Sequence, residues 1–506
     1  MPMPSCNKPS VSKEMSSMAK PAPLPPLLLT APPIARDDDC AYPESPRLFA
    51  PEQAVLFEND CACPQPPRPA AAIEPSPALY RQAKQVYAQA LTGDFLLLFS
   101  PAAPQGPSVV NRAAWGRWQE FAQPQPLSQP IDALLAEQAL LAPEGASLRL
   151  PASPPETLTV WLHITNACNL DCPYCYVRKS SASMSEVTGL QAIEKIFRTA
   201  QGRRFRRVKL KYAGGEATLH FNLIKTMADH ARQLSAKSGL GLDQVVLSNG
   251  THLRAEQAAW LKANGVRLMI SLDGIGEVHD RLRFDRRGKG SFALVSHTID
   301  DILLPQGVIP NITITITRQN AAGVAEAVRW ALERRLPVSL NFYRQKADSA
   351  EELAAEENAL LEGMLAAYRV YEEMLPERPF LNGLLDRVQF GAHLHTCGVG
   401  SSYLVVTHEG AIAQCQMLLE QGVRQETNDL LSLVQEGAIH NLTIDQKTAC
   451  RECAWRYVCS GGCPLETYRA RGKWDAPSPN CRIYKALLPA ALRLEGLRLL
   501  KVNGYL

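Results

Sequence analysis

Apolar, β-rich runs alternate with helical segments beyond residue 156, and this alternation is the clearest pattern in the chain. It predicts parallel strands joined by helical crossovers, which is typical of an α/β fold with a partial or full barrel. In such a fold the loops that follow the strands carry the active-site residues. The six predicted strands span residues 158–164, 207–212, 244–247, 267–272, 311–317 and 338–342.

The first 75 residues have a different composition. They are rich in Pro, Ala and Ser and show little helical or strand periodicity, so we expect the segment 1–75 to be largely disordered. Its cysteines are interpreted as unpaired thiols, although the closely spaced pair at 61 and 63 has the residue type of a metal ligand. These cysteines are Cys6, Cys40, Cys61 and Cys63.

A small α+β unit is predicted over residues 76–155. A helical stretch leads into two strand-like runs, which are followed by two helical patterns. Two apolar strands followed by Trp-bearing helices suggest a winged-helix module. The predicted strands are 94–100 and 108–110, and the predicted helices are 112–122 and 131–141.

Two further regions follow the predicted barrel strands. Residues 349–375 have the pattern of one long amphipathic helix, which completes a barrel domain over residues 156–395. Residues 396–490 hold seven cysteines and many glycines, so we expect metal to hold this region together more than an apolar core does. Residues 491–506 are predicted to form a C-terminal tail.

Composition narrows the class of protein. The chain has 506 residues and is 46% apolar, which allows two to four domains with sizeable cores. A net charge of +3 that is spread along the chain argues against nucleic acid as a partner. No run approaches the ~20 apolar residues of a membrane span, and no signal-peptide pattern is present, so we expect a cytoplasmic protein. Fourteen cysteines in a reducing cytosol then indicate metal binding or catalysis.

Three cysteines stand close together after the first predicted barrel strand. Cys168, Cys172 and Cys175 lie within eight residues, in a loop at the carboxyl end of that strand. Three thiolates can fill three corners of a 4Fe-4S cluster and leave the fourth iron open for substrate chemistry. The alternative is a zinc site, but structural zinc takes four ligands and the nearby His163 lies on the strand.

The C-terminal cysteines form a second pattern. Four of them follow the spacing C-x2-C-x5-C-x3-C, which is the strongest signal in the chain, and three more flank this group. A double zinc ribbon is the alternative interpretation for this region alone. The seven are Cys397, Cys415, Cys450, Cys453, Cys459, Cys463 and Cys481.

The first cysteine motif resembles the signature of the radical S-adenosylmethionine (SAM) superfamily, which is C-x3-C-x2-C with an aromatic residue before the last cysteine, here Tyr174. After the second strand, Gly214, Gly215 and Glu216 look like the family segment that meets the methionine amino group of the cosubstrate. Glycines allow close approach of the backbone, and a carboxylate suits an ammonium group. The resemblance implies a partial (β/α)6 barrel that holds a 4Fe-4S cluster and S-adenosyl-L-methionine.

Two later segments extend this resemblance. Ser248 and Asn249, after the third strand, begin a sequence similar to the family's T-N-G-T. Ser271 and Asp273, after the fourth strand, belong to a segment similar to its S-L-D-G-x-x-x-x-H-D. By resemblance these are cosubstrate-binding candidates, with Ser248, Ser271 and Asp273 facing its ribose or carboxylate. Each segment alone is more often a plain turn, and only their order on successive strands distinguishes them.

The seven C-terminal cysteines resemble, cysteine for cysteine, the SPASM extension that binds two auxiliary 4Fe-4S clusters in related enzymes. The resemblance assigns three thiols to the first cluster and leaves its fourth ligand open, because Tyr403 stands where sulfatase maturases have a cysteine. An N-terminal cysteine, a non-thiol group, solvent and substrate remain alternatives for that position. The implied ligands are Cys397, Cys415 and Cys463 for the first cluster and Cys450, Cys453, Cys459 and Cys481 for the second.

The resemblance implies reductive cleavage of S-adenosylmethionine to methionine and a 5′-deoxyadenosyl radical, with a reduced flavodoxin or ferredoxin-like protein as electron donor. SPASM-bearing relatives mostly act on peptides and proteins. The unit before the barrel also loosely resembles the winged-helix element of peptide maturases, which captures a leader peptide by strand addition. We therefore predict a maturase that installs a cross-link or another side-chain modification on a ribosomally made precursor peptide or protein.

Two alternatives remain open. A formylglycine-generating sulfatase maturase shares the cysteine layout, but that family has an Asp base where Gln416 follows Cys415. A non-catalytic electron-transfer or peptide-binding protein would not need the intact Cys168 motif. No catalytic acid or base is assigned, and Arg283, Tyr343 and Arg344 are plausible only by position.

Overall fold

The computed structural model describes residues 25–31, 78–146, 150, 154–345 and 353–506. Its strands are β1 (Leu28–Thr30), β2 (Tyr80–Gln82), β3 (Tyr87–Ala90), β4 (Phe95–Phe99), β5 (Ser108–Asn111), β6 (Leu141–Pro143), β7 (Thr157–Thr165), β8 (Arg207–Gly214), β9 (Gly241–Ser248), β10 (Arg267–Ser271), β11 (Asn311–Ile316), β12 (Val338–Phe342), β13 (Tyr403–Val406) and β14 (Ile412–Ala413). Its α-helices are α1 (Arg112–Glu120), α2 (Pro130–Glu137), α3 (Glu186–Gly202), α4 (Phe221–Ser238), α5 (Ala255–Ala263), α6 (Glu277–Asp280), α7 (Phe292–His297), α8 (Val324–Glu333), α9 (Glu357–Met374), α10 (Arg456–Cys459), α11 (Pro464–Arg471) and α12 (Cys481–Val502).

The largest sheet has the strand order β12-β11-β10-β9-β8-β7-β13-β14. Strands β7 to β12 are parallel neighbours in chain order, which confirms the six predicted barrel strands. Within this order β12 and β14 are at opposite ends, so the sheet is an open, partial barrel in the described part of the chain. Because β13 pairs in parallel with β7, the predicted boundary at residue 396 does not divide the sheet.

The two faces of the parallel strands have different chemistry. Leu158, Val160 and Leu162 of β7 belong to the main apolar core, in which helices cover the sheet. The opposite face carries buried polar side chains. On this face Asn311 Nδ2 of β11 donates to Ser339 Oγ of the neighbouring β12 at 2.9 Å. A polar concave face is suited to a polar ligand. Its buried polar residues include Thr159, His163, Lys209, Lys211, Asn311, Thr313, Ser339 and Asn341.

The N-terminal unit contains an antiparallel sheet of order β1-β5-β4-β3, followed by α1 and α2. The predicted helical stretch before residue 94 is wrong, because β2 and β3 lie there and β3 forms a hairpin with β4. Within the segment 1–75, which was expected to be largely disordered, residues 25–31 are ordered. They contain β1, which is ordered by pairing with the edge of β5 and by burial of Leu29.

The C-terminal helix corrects another predicted boundary. Helix α12 runs from Cys481 through Pro489 to Val502, so residues 491–506 are not a separate tail. The apolar pattern of the helix continues past residue 490, and its Leu499 and Leu500 are buried against β1 and β5. The predicted helix 349–375 corresponds to α9, and its first residues lie partly outside the described part. Among the described helices none has the length and apolar character that a membrane span requires.

The N-terminal unit is docked on the cysteine-rich region. The Trp455 ring lies 5.3 Å from the Tyr87 ring and 6.0 Å from the Phe99 ring. Arg456 Nη1 donates to Gln85 Oε1 at 2.7 Å. These contacts place β3 and β4 directly beside the segment that carries Cys453 and Cys459.

A buried ion pair holds α1 to α2 in this unit. Arg117 donates to both carboxylate oxygens of the fully buried Asp132 at 2.7 Å. Burial on its own would raise the pKa of Asp132, but hydrogen bonds from Arg117 and from the backbone N–H groups of Ser128 and Gln129 lower it below its usual 3.8. The charged pair therefore contributes stability at neutral pH.

We predict that Asp132→Asn costs about 3–5 kcal/mol of unfolding free energy, because it leaves the Arg117 charge buried without its counter-ion. Glu120→Gln removes an exposed partner of the same arginine and should cost under about 1 kcal/mol. Since the folded pKa of Asp132 is depressed, the deficit of Asp132→Asn should shrink as the pH falls below 3.8. Denaturant titrations at several pH values measure this, and equal losses for the two variants would contradict it.

Candidate active site and thiol clusters

The loop after β7 carries three thiols within one compact turn. The Cys175 backbone N–H donates to Cys172 O at 3.1 Å, and that of Leu170 donates to Cys168 Sγ at 3.4 Å. Burial raises the pKa of Cys172 to about 12, and nearby Cys168 and Cys175 add to this effect. A strongly electron-accepting partner such as iron would therefore hold Cys172 as a thiolate at neutral pH. The donor set fits the predicted cluster.

Two glycines at the end of β8 bring its backbone against this loop. Gly215 N donates to Thr165 O at 2.7 Å, and Glu216 N donates to Ala167 O at 2.8 Å. A Cβ atom at Gly215 would lie 2.2 Å from Ala167 O, and one at Gly214, where φ is +153°, would lie 2.5 Å from Thr165 O. Only glycine fits at these positions, and its observed role is to position the thiol-bearing loop.

The carboxylate of Glu216 is buried and ties the end of β8 to the end of β9. It accepts hydrogen bonds from the Thr218 N–H at 3.0 Å, from Ser248 Oγ at 3.0 Å and from the Asn249 N–H at 2.6 Å. Asn249 Nδ2 in turn donates to Asn169 Oδ1 at 2.8 Å and lies 3.8 Å from Cys168 Sγ. Glu216, Ser248 and Asn249 thus form one hydrogen-bonded path to the thiol-bearing loop.

Asp273 also binds that loop. Its Oδ2 accepts from the Tyr174 hydroxyl and from Arg283 Nε, the latter at 2.6 Å, and its Oδ1 accepts from the Thr315 N–H at 2.7 Å. Both carboxylate oxygens therefore have intramolecular partners, which makes Asp273 a positioning residue in this geometry. Ser271 lies half-buried at the end of β10, beside Thr313 of β11.

Several residues considered from the sequence have structural partners. His163 Nε2 hydrogen-bonds to Asn166 Oδ1 at 2.7 Å and so holds the start of the loop. Burial lowers the pKa of His163 to about 4. The Tyr343 ring lies 6.5 Å from that of Tyr174. Arg344 pairs with Asp386 at 2.6 Å. The sequence did not identify Asn169, which no motif marks.

The C-terminal thiols are divided between two cavities. One is lined by Cys397, Cys415 and Cys463, together with Arg344 and Gln416. The other is lined by the remaining four. In each set the thiols line a common space, which is the arrangement that a polynuclear cluster needs. The four in the second cavity are Cys450, Cys453, Cys459 and Cys481.

A buried lysine lies between the two cavities. The Lys447 ammonium donates to Ser460 O at 3.2 Å, and its side chain is 1% exposed. It is near thiols of both sets, Cys450 and Cys459 on one side and Cys397 and Cys463 on the other. Burial lowers the pKa of Lys447, and these thiols partly oppose that effect.

The first cavity has three thiols and no carboxylate among its lining residues. Gln416 Oε1 lies 3.4 Å from Cys415 Sγ and accepts from the Tyr403 hydroxyl at 2.7 Å. Gln416 Oε1 is therefore the oxygen atom that these contacts place beside the thiol set. The four N-terminal cysteines lie outside the described residues.

Comparisons with known proteins agree with this geometry. Residues 162–303 match the radical SAM superfamily. The chain is 24% identical to the serine-type anaerobic sulfatase-maturating enzyme of Klebsiella aerogenes, over 66% of this chain and 84% of that enzyme. It is 26% identical to the mycofactocin maturase MftC of Mycobacterium ulcerans, over 63% of this chain and 86% of MftC. A solved structure of anSMEcpe with bound AdoMet and Kp18Cys peptide shares the fold, with a TM-score of 0.55 at 19% identity over 69% of this chain and all of the other. The resemblance to the radical SAM superfamily is confirmed.

We predict that Gly215→Ala destabilises the protein by about 1–3 kcal/mol and lowers its iron content, since the added Cβ displaces the loop at Ala167. Gly202→Ala is the matched control, because this glycine ends α3 and nothing lies near its added Cβ. It should be neutral or slightly stabilising. Iron analysis and denaturant unfolding of both variants measure this, and wild-type iron content in Gly215→Ala would refute the positioning role.

Proposed function

We propose that this radical SAM enzyme is a maturase of a ribosomally made precursor peptide or protein, in which it installs a cross-link or another side-chain modification. One observation supports this proposal most strongly. The loop with Cys168, Cys172 and Cys175 is held by hydrogen bonds beside the polar, concave face of the sheet. The two further thiol sets in the C-terminal region support the same class, because related maturases combine such sets with this loop.

The cluster proposed at Cys168, Cys172 and Cys175 would supply one electron to cleave S-adenosylmethionine and so generate a 5′-deoxyadenosyl radical. The chain's own residues would bind and orient the cosubstrate and the substrate, and they would exclude water. Asn249 donates a hydrogen bond to Asn169 of the loop, and Asp273 accepts one from Tyr174, so both residues hold the thiol set at the carboxyl edge of the sheet.

For the cosubstrate we propose the segment Gly214–Glu216 at its amino group, with Ser248, Asn249 and Ser271 near its ribose or carboxylate. All of them stand at the carboxyl ends of β8, β9 and β10, on the same edge as the thiols. Asp273 is proposed at the same groups. Both oxygens of Glu216 and of Asp273 accept hydrogen bonds within the chain, so each carboxylate also positions the loop, Glu216 through Asn249 and Asp273 through Tyr174.

We assign auxiliary 4Fe-4S clusters to both C-terminal thiol sets, as in a SPASM extension. Their place in the reaction would be to accept the electron that is released as a product radical is oxidised, and a reduced flavodoxin or ferredoxin-like protein would supply the first electron. Gln416 or substrate would complete the three-thiol set.

Sulfatase maturation is the second candidate, favoured by the identity to sulfatase-maturating enzymes. Those enzymes are expected to place a carboxylate base after the second cysteine of the extension. Here Gln416 occupies that position and its oxygen accepts from Tyr403. An amide does not take up a proton at neutral pH, so peptide maturation is the better-supported function.

We predict that changing Cys168, Cys172 and Cys175 together to Ala abolishes 5′-deoxyadenosine formation and leaves the auxiliary iron in place, because the other thiols line separate cavities. Liquid chromatography of reactions with a strong reductant measures the nucleoside, and iron analysis measures the remaining clusters. Undiminished 5′-deoxyadenosine from the variant would overturn the assignment of the cleaving cluster to these three thiols. The three thiols would then no longer distinguish the protein from a non-catalytic iron–sulfur protein.

We predict that Lys447→Met lowers the midpoint potentials of both auxiliary clusters by tens of millivolts, because a buried positive charge stabilises the reduced state. Lys447→Arg should retain the potentials. Lys485→Met is the matched control. Lys485 is exposed and lines the cavity of the second thiol set, so its effect should be smaller and confined to the second cluster. Redox titration followed by electron paramagnetic resonance measures the shifts, and unchanged potentials in Lys447→Met would contradict the role.

A further inference from the structure

A buried carboxyl group that the proposed mechanism does not use lies behind the first thiol cavity. Glu466 of α11 comes three residues after Cys463, and Pro464 and Leu465 between them line the cavity. Glu466 Oε1 accepts from Asn480 Nδ2 at 3.2 Å. Glu466 Oε2 is buried and has no hydrogen-bond partner among the described residues. A carboxylate in such a position is poorly stabilised as an anion, so its charge depends on the groups around it.

Arg344 lies between this carboxyl group and the thiols. It follows β12, lines the first cavity, and is near both Glu466 and Cys463. Its Nη2 donates to Asp386 Oδ2 at 2.6 Å, and its Nη1 donates to Phe342 O at 3.3 Å. Burial lowers the pKa of Arg344, but Asp386, Cys463 and Glu466 together raise it well above its usual range. Arg344 is therefore a fixed positive charge that acts on the thiol set and on Glu466.

Further charged and titratable groups surround Glu466. Asp386 is buried, and its Oδ1 has no hydrogen-bond partner in the described part of the chain, although Arg387 Nε lies 3.9 Å away. The Tyr484 hydroxyl of α12 is also buried without such a partner, near both acids. Burial raises the pKa of Tyr484, so it stays neutral. The groups that face Glu466 are Arg344 after β12, Asp386 and Arg387 between α9 and β13, and Tyr484 of α12.

The charges of this network are balanced. Two arginines face two acids, so the four side chains sum to zero when both acids are ionised. Burial raises the pKa of Glu466 above its usual 4.5, and Arg344 opposes this effect. A cluster in the first cavity that gains one electron adds a negative charge beside Arg344, at a site where little water screens it. A proton on Glu466 restores the balance, and its Oε2 atom can hold this proton without losing a donor.

We propose that Glu466 binds one proton when a cluster in the first cavity accepts one electron. In this step one electron enters the cluster, one proton from solvent binds to the Glu466 carboxylate, and no bond is broken. During turnover the product radical would supply the electron as it is oxidised. Glu466 stands behind the cavity wall, so it acts through its charge and not as a ligand. That the first cavity holds a cluster rests on the proposed function, whereas the network around Glu466 does not.

The test uses the full chain with Cys168, Cys172 and Cys175 changed to Ala, so that only the auxiliary clusters give signals. Redox titration followed by electron paramagnetic resonance measures the midpoint potential of the first cluster at several pH values between about 6 and 9. The signal of this cluster is the one that disappears in Cys415→Ala. Because the proton stabilises the reduced state, we expect the potential to rise as the pH falls. The limit is about 59 mV for each tenfold rise in proton concentration.

Glu466→Gln should remove this pH dependence, since glutamine has the shape of the protonated acid but does not titrate. Its potential should stay near the value that the parent protein reaches at low pH. Glu452→Gln is the matched control, because Glu452 is exposed and adjacent to Cys453 of the second set, and it should retain the pH dependence. In infrared difference spectra, reduction of the parent should produce the C=O band of a carboxylic acid. This band should shift in heavy water and be absent from Glu466→Gln.

Equal pH dependence of the potential in Glu466→Gln and in its parent would overturn the proposal. So would the lack of a carboxylic-acid band in the parent, a measurement that needs no substitution at Glu466 and no refolded variant. Iron analysis and electron paramagnetic resonance show separately whether the first set holds a cluster. Absence of that cluster would overturn this proposal together with the auxiliary assignment, whereas a cluster with a pH-independent potential would overturn this proposal alone.

Discussion

Close contact between two stretches of backbone determines where the candidate active site lies. The end of β8 is hydrogen-bonded to the loop after β7, and the Cβ positions of Gly214 and Gly215 would lie within 2.5 Å of that loop's carbonyl oxygens. With the loop held there, Cys168, Cys172 and Cys175 stand at the carboxyl edge of the parallel sheet. Every proposed cosubstrate contact depends on this edge, because β8, β9 and β10 end beside it.

Buried charges fix the same loop from two further strands. Glu216 connects the ends of β8 and β9, and Asp273 connects the ends of β10 and β11 to Tyr174. Each carboxylate is fully buried but has three or more hydrogen-bond donors, which offsets the cost of removing its charge from water. Such a network holds the loop rigidly, which suits radical chemistry in which a misplaced substrate leads to the wrong product.

Local patterns were sufficient to predict the six barrel strands, because their β-rich runs alternate with helical segments along the chain. The resemblance to the SPASM extension implied a division of the C-terminal thiols into two sets, and the same two sets line the two cavities. Pairing between distant residues could not be predicted. Examples are β13 joining β7 and β1 joining β5. The local hairpin of β3 and β4 was missed for a different reason, because its first strand lies in a stretch whose pattern was interpreted as helical. The motif that predicts cosubstrate binding by Asp273 does not show that both of its oxygens accept hydrogen bonds within the chain.

If the loop with Cys168, Cys172 and Cys175 holds a cluster with an open iron, S-adenosylmethionine should bind to that cluster. Electron paramagnetic resonance of the fully reconstituted, reduced protein can detect this binding, with spectra recorded before and after addition of S-adenosylmethionine. We expect the spectrum of one cluster to change and the signals of the other two to stay the same. A spectrum that is unchanged at saturating S-adenosylmethionine would show that no cluster in the protein has an iron open to it.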